Sequence, residues 1–172
     1  FSSDLPDGGA GLTDDAIISR LGLDNIKRIH SYEVWPKDIL EADKVMIANR
    51  CMLSANSHTT LVNHKNYVIV EHDYQFVQHR NPYFYPDGLV PDKDIIGRSL
   101  YKNAKAVFLQ TDFHKSMFER NKIEGNLISL KTTVYSEYEI AVWRDIISTT
   151  HTPTSRKFAI MDTNNYGKNT KG

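Results

Sequence analysis

The chain has 172 residues, of which 40% are hydrophobic and 24% are charged, with 21 basic and 21 acidic side chains. This length allows one domain with its own core, or one domain and part of another. The balanced charge gives no basic excess for a nucleic-acid partner, and no apolar run approaches the roughly 18 residues of a transmembrane helix. The single cysteine, Cys51, excludes an internal disulfide. We expect it to be a small core residue in a cytoplasmic protein.

The chain begins with a glycine-rich loop that leads into a helix. The loop covers residues 4–11 and contains Gly8, Gly9 and Ala10. Asp14 and Asp15 are expected in the first turn of the helix, where the helix dipole favours negative charge. Free backbone amides at the start of such a helix can bind a phosphate. A tight turn without a ligand explains the same residues equally well.

That first helix is expected to bury one apolar face and to end at a glycine. The residues concerned are Ile17, Ile18 and Leu21, followed by Gly22. Glycine just after the last periodic apolar residue is a helix-ending signal.

Short apolar runs then alternate with helical segments along the chain. The runs, which predict strands buried on both faces, are residues 44–48, 67–70, 106–109, 127–130 and 157–161. The helical segments are residues 57–63, residues 92–104, a helix capped by Thr111 or Asp112, and a helix opened by the Ser136–Glu139 capping box with Ile140, Trp143, Ile146 and Ile147 on its inner face. This alternation predicts an α/β fold, a Rossmann-like parallel sheet with helices on both faces. Residues 1–147 would form that domain, 148–156 a linker, and 157–172 the truncated start of a second domain.

The strand at residues 67–70 runs directly into Glu71, His72 and Asp73. In open parallel sheets, ligands bind beyond the carboxyl ends of the strands. Because side chains alternate along an extended segment, His72 should point away from Glu71 and Asp73. The three groups are therefore not expected to share a metal ion. His72 is either a site residue or a side chain that only makes a hydrogen bond at the strand end.

A long loop of residues 74–91 follows, rich in aromatic side chains. It carries Tyr74, Phe76, Arg80, Tyr83, Phe84 and Tyr85. Long loops in compact domains are usually functional or mobile. The aromatics could stack on a sugar or a partner, and Arg80 could hold a phosphate. Alternatively, the aromatics only pin the loop to the domain.

The order of these motifs resembles the amino-terminal half of GT-B glycosyltransferases of the group 1, family-4-like class. The resemblance depends on the Gly8-Gly9-Ala10 loop before the first helix, the strand ending in His72-Asp73, the Ala106-Val107-Phe108 strand with a helix after it, and a second strand and loop ending in Lys171-Gly172. It spans nearly the whole chain and implies a fragment that stops just inside the second domain.

The resemblance also implies roles for individual residues. Gly8, Gly9 and Ala10 would face the cleft near the donor diphosphate or the acceptor, and His72 would contact the donor sugar near the reacting carbon. Lys171 and Gly172 would lie in the second-domain loop that binds the diphosphate. Asp73, Tyr74 and Arg80 are acceptor or cleft candidates. Where the family has an arginine before the Lys-Gly pair, this chain has Asn164-Asn165-Tyr166.

The implied reaction transfers a sugar from a nucleotide diphosphate-sugar to an unknown acceptor, which is a glycan, a lipid or a protein. It would proceed with retention, without a metal ion and without a cofactor. The paired glutamates of the family, in E-x7-E spacing, would lie beyond residue 172, so the fragment alone is expected to be inactive. Two rival functions stay open. One is a single-domain nucleotide- or phosphate-binding α/β module with its ligand at Gly8 and Gly9, and the other is a non-catalytic domain that binds a partner through the aromatics of residues 74–85.

Overall fold

The computed structural model describes residues 9–22, 25–132 and 134–149. The chain divides into two compact units, Phe1–Ser136 and Glu137–Gly172. The fifth predicted strand, Gly8, Lys171 and Gly172 lie outside the described residues, as does all of the predicted linker except its first two residues. The domain boundaries drawn from the sequence stay predictions.

The first unit is built on a parallel sheet. The strands of the described residues are β1 (Val45–Ile47), β2 (Tyr67–Glu71), β3 (Ala106–Leu109) and β4 (Leu127–Ser129), arranged in the order β1-β2-β3-β4 with every pairing parallel. Ile69 in β2 pairs with Ile47 on one side and Val107 on the other. All three side chains are buried, as expected for strands enclosed within a parallel sheet. The predicted α/β, Rossmann-like class is confirmed.

Helices and short 3-10 turns connect the strands. The helices are α1 (Gly9–Leu21), α2 (Pro36–Leu40), α3 (Ala55–His64), α4 (Arg98–Asn103), α5 (Asp112–Arg120) and, in the second unit, α6 (Glu137–Thr149). Thr111 caps α5 by accepting a hydrogen bond from the amide of His114 at 3.0 Å, so the predicted cap is confirmed. α1 ends before Gly22, whose φ of +58° suits a residue without a Cβ.

Several predictions made from the sequence for the first helix are wrong. Gly9, Ala10 and Gly11 are already helical, so these residues are not part of a loop. Since α1 begins at Gly9, Asp14 and Asp15 lie in its second turn and gain little from the dipole. The side chains that α1 buries most completely are Thr13 and Ala16, whereas Leu21 is exposed.

The helix predicted over residues 92–104 is interrupted. A 3-10 turn covers Asp92–Asp94, Ile95 is extended, and α4 begins only after Gly97, which has a φ of +73°. The reason is tertiary, because the Ile96 amide donates to the carbonyl oxygen of Phe76 at 2.8 Å and Ile95 forms an antiparallel bridge with Val77. Two other predictions are also wrong: Cys51 is exposed, and so is most of Trp143 in α6.

Segments that leave the carboxyl ends of β1, β2 and β3 form one edge of the first unit. They begin at Ala48, His72 and Gln110. Ligands of open parallel sheets bind at this edge, and we describe it as the carboxyl edge. None of the helices in the described part of the chain is long and apolar enough to cross a membrane.

Candidate functional site

His72 is the first residue after β2 at the carboxyl edge. Its Nε2 lies 2.8 Å from Oδ1 of Asp14, a residue of α1 that is 58 positions away in the sequence. The His72 side chain is only 6% exposed and the Asp14 side chain 20%. Hydrogen bonds that involve an ionised group in such a desolvated place are stronger than those at the surface. The pair therefore fixes α1 against the end of β2.

The second ring nitrogen of His72 is left without a partner. Nδ1 is buried and makes no hydrogen bond to any atom of the described residues. Buried polar atoms are normally hydrogen-bonded, and an exception calls for an explanation. A ligand group that reaches this nitrogen is one such explanation.

Glu71, the last residue of β2, lies in the interior. Its carboxylate accepts hydrogen bonds from the backbone amide of Gln75 at 2.7 Å and from the hydroxyl of Tyr101 at 2.9 Å. Burial raises the pKa of Glu71 from 4.5 to about 7, although both hydrogen bonds act in the opposite direction. Glu71 therefore holds the loop that follows β2 and does not face a ligand.

Arg50 extends this arrangement to the segment after β1. Its Nε donates to the Tyr101 hydroxyl at 3.3 Å, and its guanidinium also donates to the carbonyl oxygens of Gln75 and Ile96. We call Arg50, Glu71, Gln75 and Tyr101 the buried network. It ties together the segments that follow β1 and β2 and the segment before α4. The predictions from sequence omitted Arg50, although its position after a buried strand is the same signal that marked His72.

Asp73 and its neighbours lie at the surface of the same edge. Asp73 forms an ion pair with Arg80, and both side chains are about half exposed. Exposed pairs of this kind contribute at most about 1 kcal/mol. Arg80 adopts a left-handed backbone conformation, with φ of +61°. The charge of Arg80 is thus already paired within the chain, and an incoming phosphate would have to replace Asp73 as its partner.

His114 of α5 fixes the backbone beside His72. Its Nε2 donates to the carbonyl oxygen of Asp73 at 3.0 Å, since a carbonyl oxygen can only accept. Burial lowers the pKa of His114 from 6.5 to about 4, so this ring is neutral at physiological pH. The ring of Tyr74 packs edge-on against the His114 ring, and the two ring centroids are 4.7 Å apart. His114 is therefore a structural contact of the candidate site that sequence reasoning did not identify.

The aromatic side chains of residues 74–91 have different environments. Phe76 is fully buried and packs against Phe118 at 4.8 Å. Tyr83 and Phe84 are 52% and 57% exposed. Part of the aromatic content therefore pins the loop to the core, and part of it faces solvent.

The structure brings together only part of the predicted site. His72, Asp73, Tyr74 and Arg80 lie in one segment at the carboxyl edge, whereas Ala10 is an exposed residue of α1. Asp14 is the main addition, and no local pattern could have paired it with a histidine 58 residues away. The described residues contain no cluster of His, Cys, Asp and Glu that could hold a metal ion.

Comparisons with known proteins identify no relative. No family model, no curated protein and no solved structure matches the chain. The function is therefore inferred from the residues and the geometry of the carboxyl edge.

Proposed function

We propose that this chain forms the amino-terminal, acceptor-side half of a glycosyltransferase that uses a nucleotide diphosphate-sugar. The observation that carries the proposal is His72, a nearly buried histidine at the carboxyl end of a central parallel strand with one ring nitrogen lacking a partner. Parallel α/β sheets bind their ligands at this edge. The order of motifs along the sequence supports a sugar-transfer cleft at the same edge.

In the proposed reaction, His72 contacts the donor sugar near the carbon at which transfer occurs. The developing charge is on the leaving diphosphate, which is stabilised by backbone amides and by Lys171 without a metal ion. Closure of two domains would complete the site and exclude water. Transfer occurs with retention at the anomeric carbon.

Asp73 and Arg80 suit the acceptor side of the same edge. Their ion pair is accessible to solvent, so the guanidinium can exchange its partner for an anionic or hydroxyl-rich acceptor at little cost. Tyr74 packs against His114 and therefore supports the backbone beside the acceptor more than it stacks on a sugar.

The test uses the coding sequence extended downstream to its stop codon, purified and assayed with a panel of uridine, guanosine and adenosine diphosphate-sugars. We expect turnover with at least one donor, and we expect His72→Ala to lower kcat at least tenfold. His30→Ala is the matched control, because His30 is exposed and its ring stacks on that of Tyr32.

The 172-residue chain by itself should show no transfer. Turnover by this chain alone would refute the two-domain proposal, and an unchanged kcat in His72→Ala would remove His72 from the reaction. The downstream sequence is a cheaper test, since an E-x7-E pair about one domain length further on is expected.

The second candidate function is binding of a partner without catalysis. The exposed rings of Tyr83 and Phe84 favour it, because aromatic side chains are enriched at protein interfaces. In that case Tyr83→Ala with Phe84→Ala would abolish binding, and His72→Ala would have no effect on it.

A further inference from the structure

We propose that Asp14 fixes the ring proton of His72 on Nε2, so that Nδ1 accepts a hydrogen bond from a sugar hydroxyl. The inference rests on the proposed function and deepens it, since it names the ligand group that meets this nitrogen. It gives Asp14 the role of a positioning residue that acts through His72.

The first step is the identity of the donor in the His72–Asp14 contact. An ionised carboxylate can only accept hydrogen bonds, so at 2.8 Å the proton must belong to Nε2. The hydrogen bond made by one ring nitrogen of a histidine determines the state of the other. In the neutral ring, Nδ1 is therefore an acceptor with a free lone pair.

The second step is the burial of the contact. The His72 side chain is 6% exposed, and water therefore competes little with Asp14 for Nε2. A half-turn of the ring about its Cβ–Cγ bond would put the carbon Cε1 in the place of Nε2 and leave the Asp14 carboxylate without its donor. An unpaired buried charge is costlier than an unpaired lone pair. The orientation of the ring is therefore held by Asp14.

The third step is the chemistry of the missing partner. Nδ1 has no partner among the described residues, and as an acceptor it needs a hydrogen-bond donor. A sugar hydroxyl donates, whereas a phosphate oxygen at neutral pH only accepts. The nearby His114 is already committed to the Asp73 carbonyl. Nδ1 is thus suited to the sugar part of a nucleotide-sugar or of an acceptor, and not to the diphosphate.

The test is a two-bond ¹H–¹⁵N correlation spectrum of the histidine rings in the uniformly labelled chain at about pH 8. We expect His72 to show a protonated Nε2 and an unprotonated Nδ1. In Asp14→Asn the side-chain amide can donate as well as accept, so the preference should decrease and a mixture of tautomers should appear.

Asp15→Asn is the matched control. Asp15 is the next residue of the same helix and pairs with Arg28, so the tautomer of His72 should not change in this variant. A merely structural role for Asp14 would leave the tautomer unchanged in both variants. A protonated Nδ1 in the wild-type chain, or an Asp14→Asn spectrum equal to that of the wild type, would overturn the inference.

The hydroxyl contact is tested in the extended enzyme with the nucleotide-sugar that supports turnover. Binding of the sugar nucleotide, or of the acceptor if the hydroxyl is the acceptor's, should shift the Nδ1 resonance, and the nucleoside diphosphate alone should not. A shift with the diphosphate alone, or no shift with both substrates bound, would overturn the hydroxyl contact. Absence of any transfer together with an intact Nε2–H tautomer would refute the proposed function and leave the role of Asp14 standing.

Discussion

The buried carboxyl group of Glu71 should make the stability of the chain depend on pH. Burial raises the pKa of Glu71 in the folded state from 4.5 to about 7. The folded protein thus binds this proton more tightly than the unfolded chain does. The resulting stabilisation is fully present below pH 4.5 and is lost as pH rises through about 7. A rise of this size corresponds to about 3 kcal/mol.

His114 should produce the opposite dependence over nearly the same range. Burial lowers its pKa from 6.5 to about 4, so its contribution is fully present above pH 6.5 and is lost as pH falls through about 4. Its size is also about 3 kcal/mol. In the wild-type chain the two contributions nearly cancel. The free energy of unfolding should therefore change by no more than about 1 kcal/mol from these two groups between pH 4.5 and 6.5.

Substitution of either residue should reveal the contribution of the other. In Glu71→Gln the free energy of unfolding should rise by about 3 kcal/mol from pH 4 to 6.5, because only the His114 contribution is left. In His114→Gln it should fall by a similar amount from pH 4.5 to 7. The measurement is urea unfolding followed by circular dichroism at half-unit pH steps, with linear extrapolation to water. Glu33→Gln, at an exposed glutamate, is the control and should keep the wild-type profile.

Two results would refute this reasoning. If the profile of Glu71→Gln runs parallel to that of the wild type, Glu71 does not hold its proton more tightly in the folded state. If the two variants show the same sign of change, the assignment of opposite effects to burial of an acid and burial of a base is wrong.

Two further predictions concern the buried network. Tyr101→Phe removes a hydroxyl that donates to the Glu71 carboxylate and accepts from Arg50. At pH 8 it should lower the free energy of unfolding by about 2 kcal/mol, which is about 1 M in the urea midpoint. The control Tyr32→Phe, at an exposed ring, should lower it by less than about 0.5 kcal/mol. A cost no larger than that control would contradict the contact. Gly97→Ala should lower the thermal midpoint more than Gly22→Ala does. Both glycines have positive φ, but a Cβ at Gly97 would lie 2.9 Å from Cζ of Arg50, whereas a Cβ at Gly22 would have no atom within 4 Å. Equal shifts would mean that Arg50 moves aside freely.

The sequence predicted the sheet well because the signals of its strands are local. Each strand is a short run of apolar residues, and β3 covers the residues predicted for it, Ala106–Leu109. The cap of α5 was also readable, since a side chain that bonds an amide three residues later needs no distant partner. Composition and periodicity therefore determined the α/β class and the edge at which a site was to be sought.

The sequence failed where a distant residue decided the conformation. The helix predicted over residues 92–104 is interrupted where Ile95 and Ile96 pair with the segment after β2. Cys51 is exposed, whereas its neighbour Arg50 is buried in the network. Neither contact can be predicted from the local spacing of apolar residues in the sequence.

The contrast is clearest at His72. The sequence by itself identified this residue as a candidate, because it follows a buried strand of a parallel sheet. Only the tertiary structure decided its chemistry. It brings Asp14 of α1 to 2.8 Å from Nε2 and leaves Nδ1 buried, with no partner among the described residues. The physical reason is that position along a strand is encoded in neighbouring residues, whereas the state of a titratable ring is determined by whichever group packing places against it.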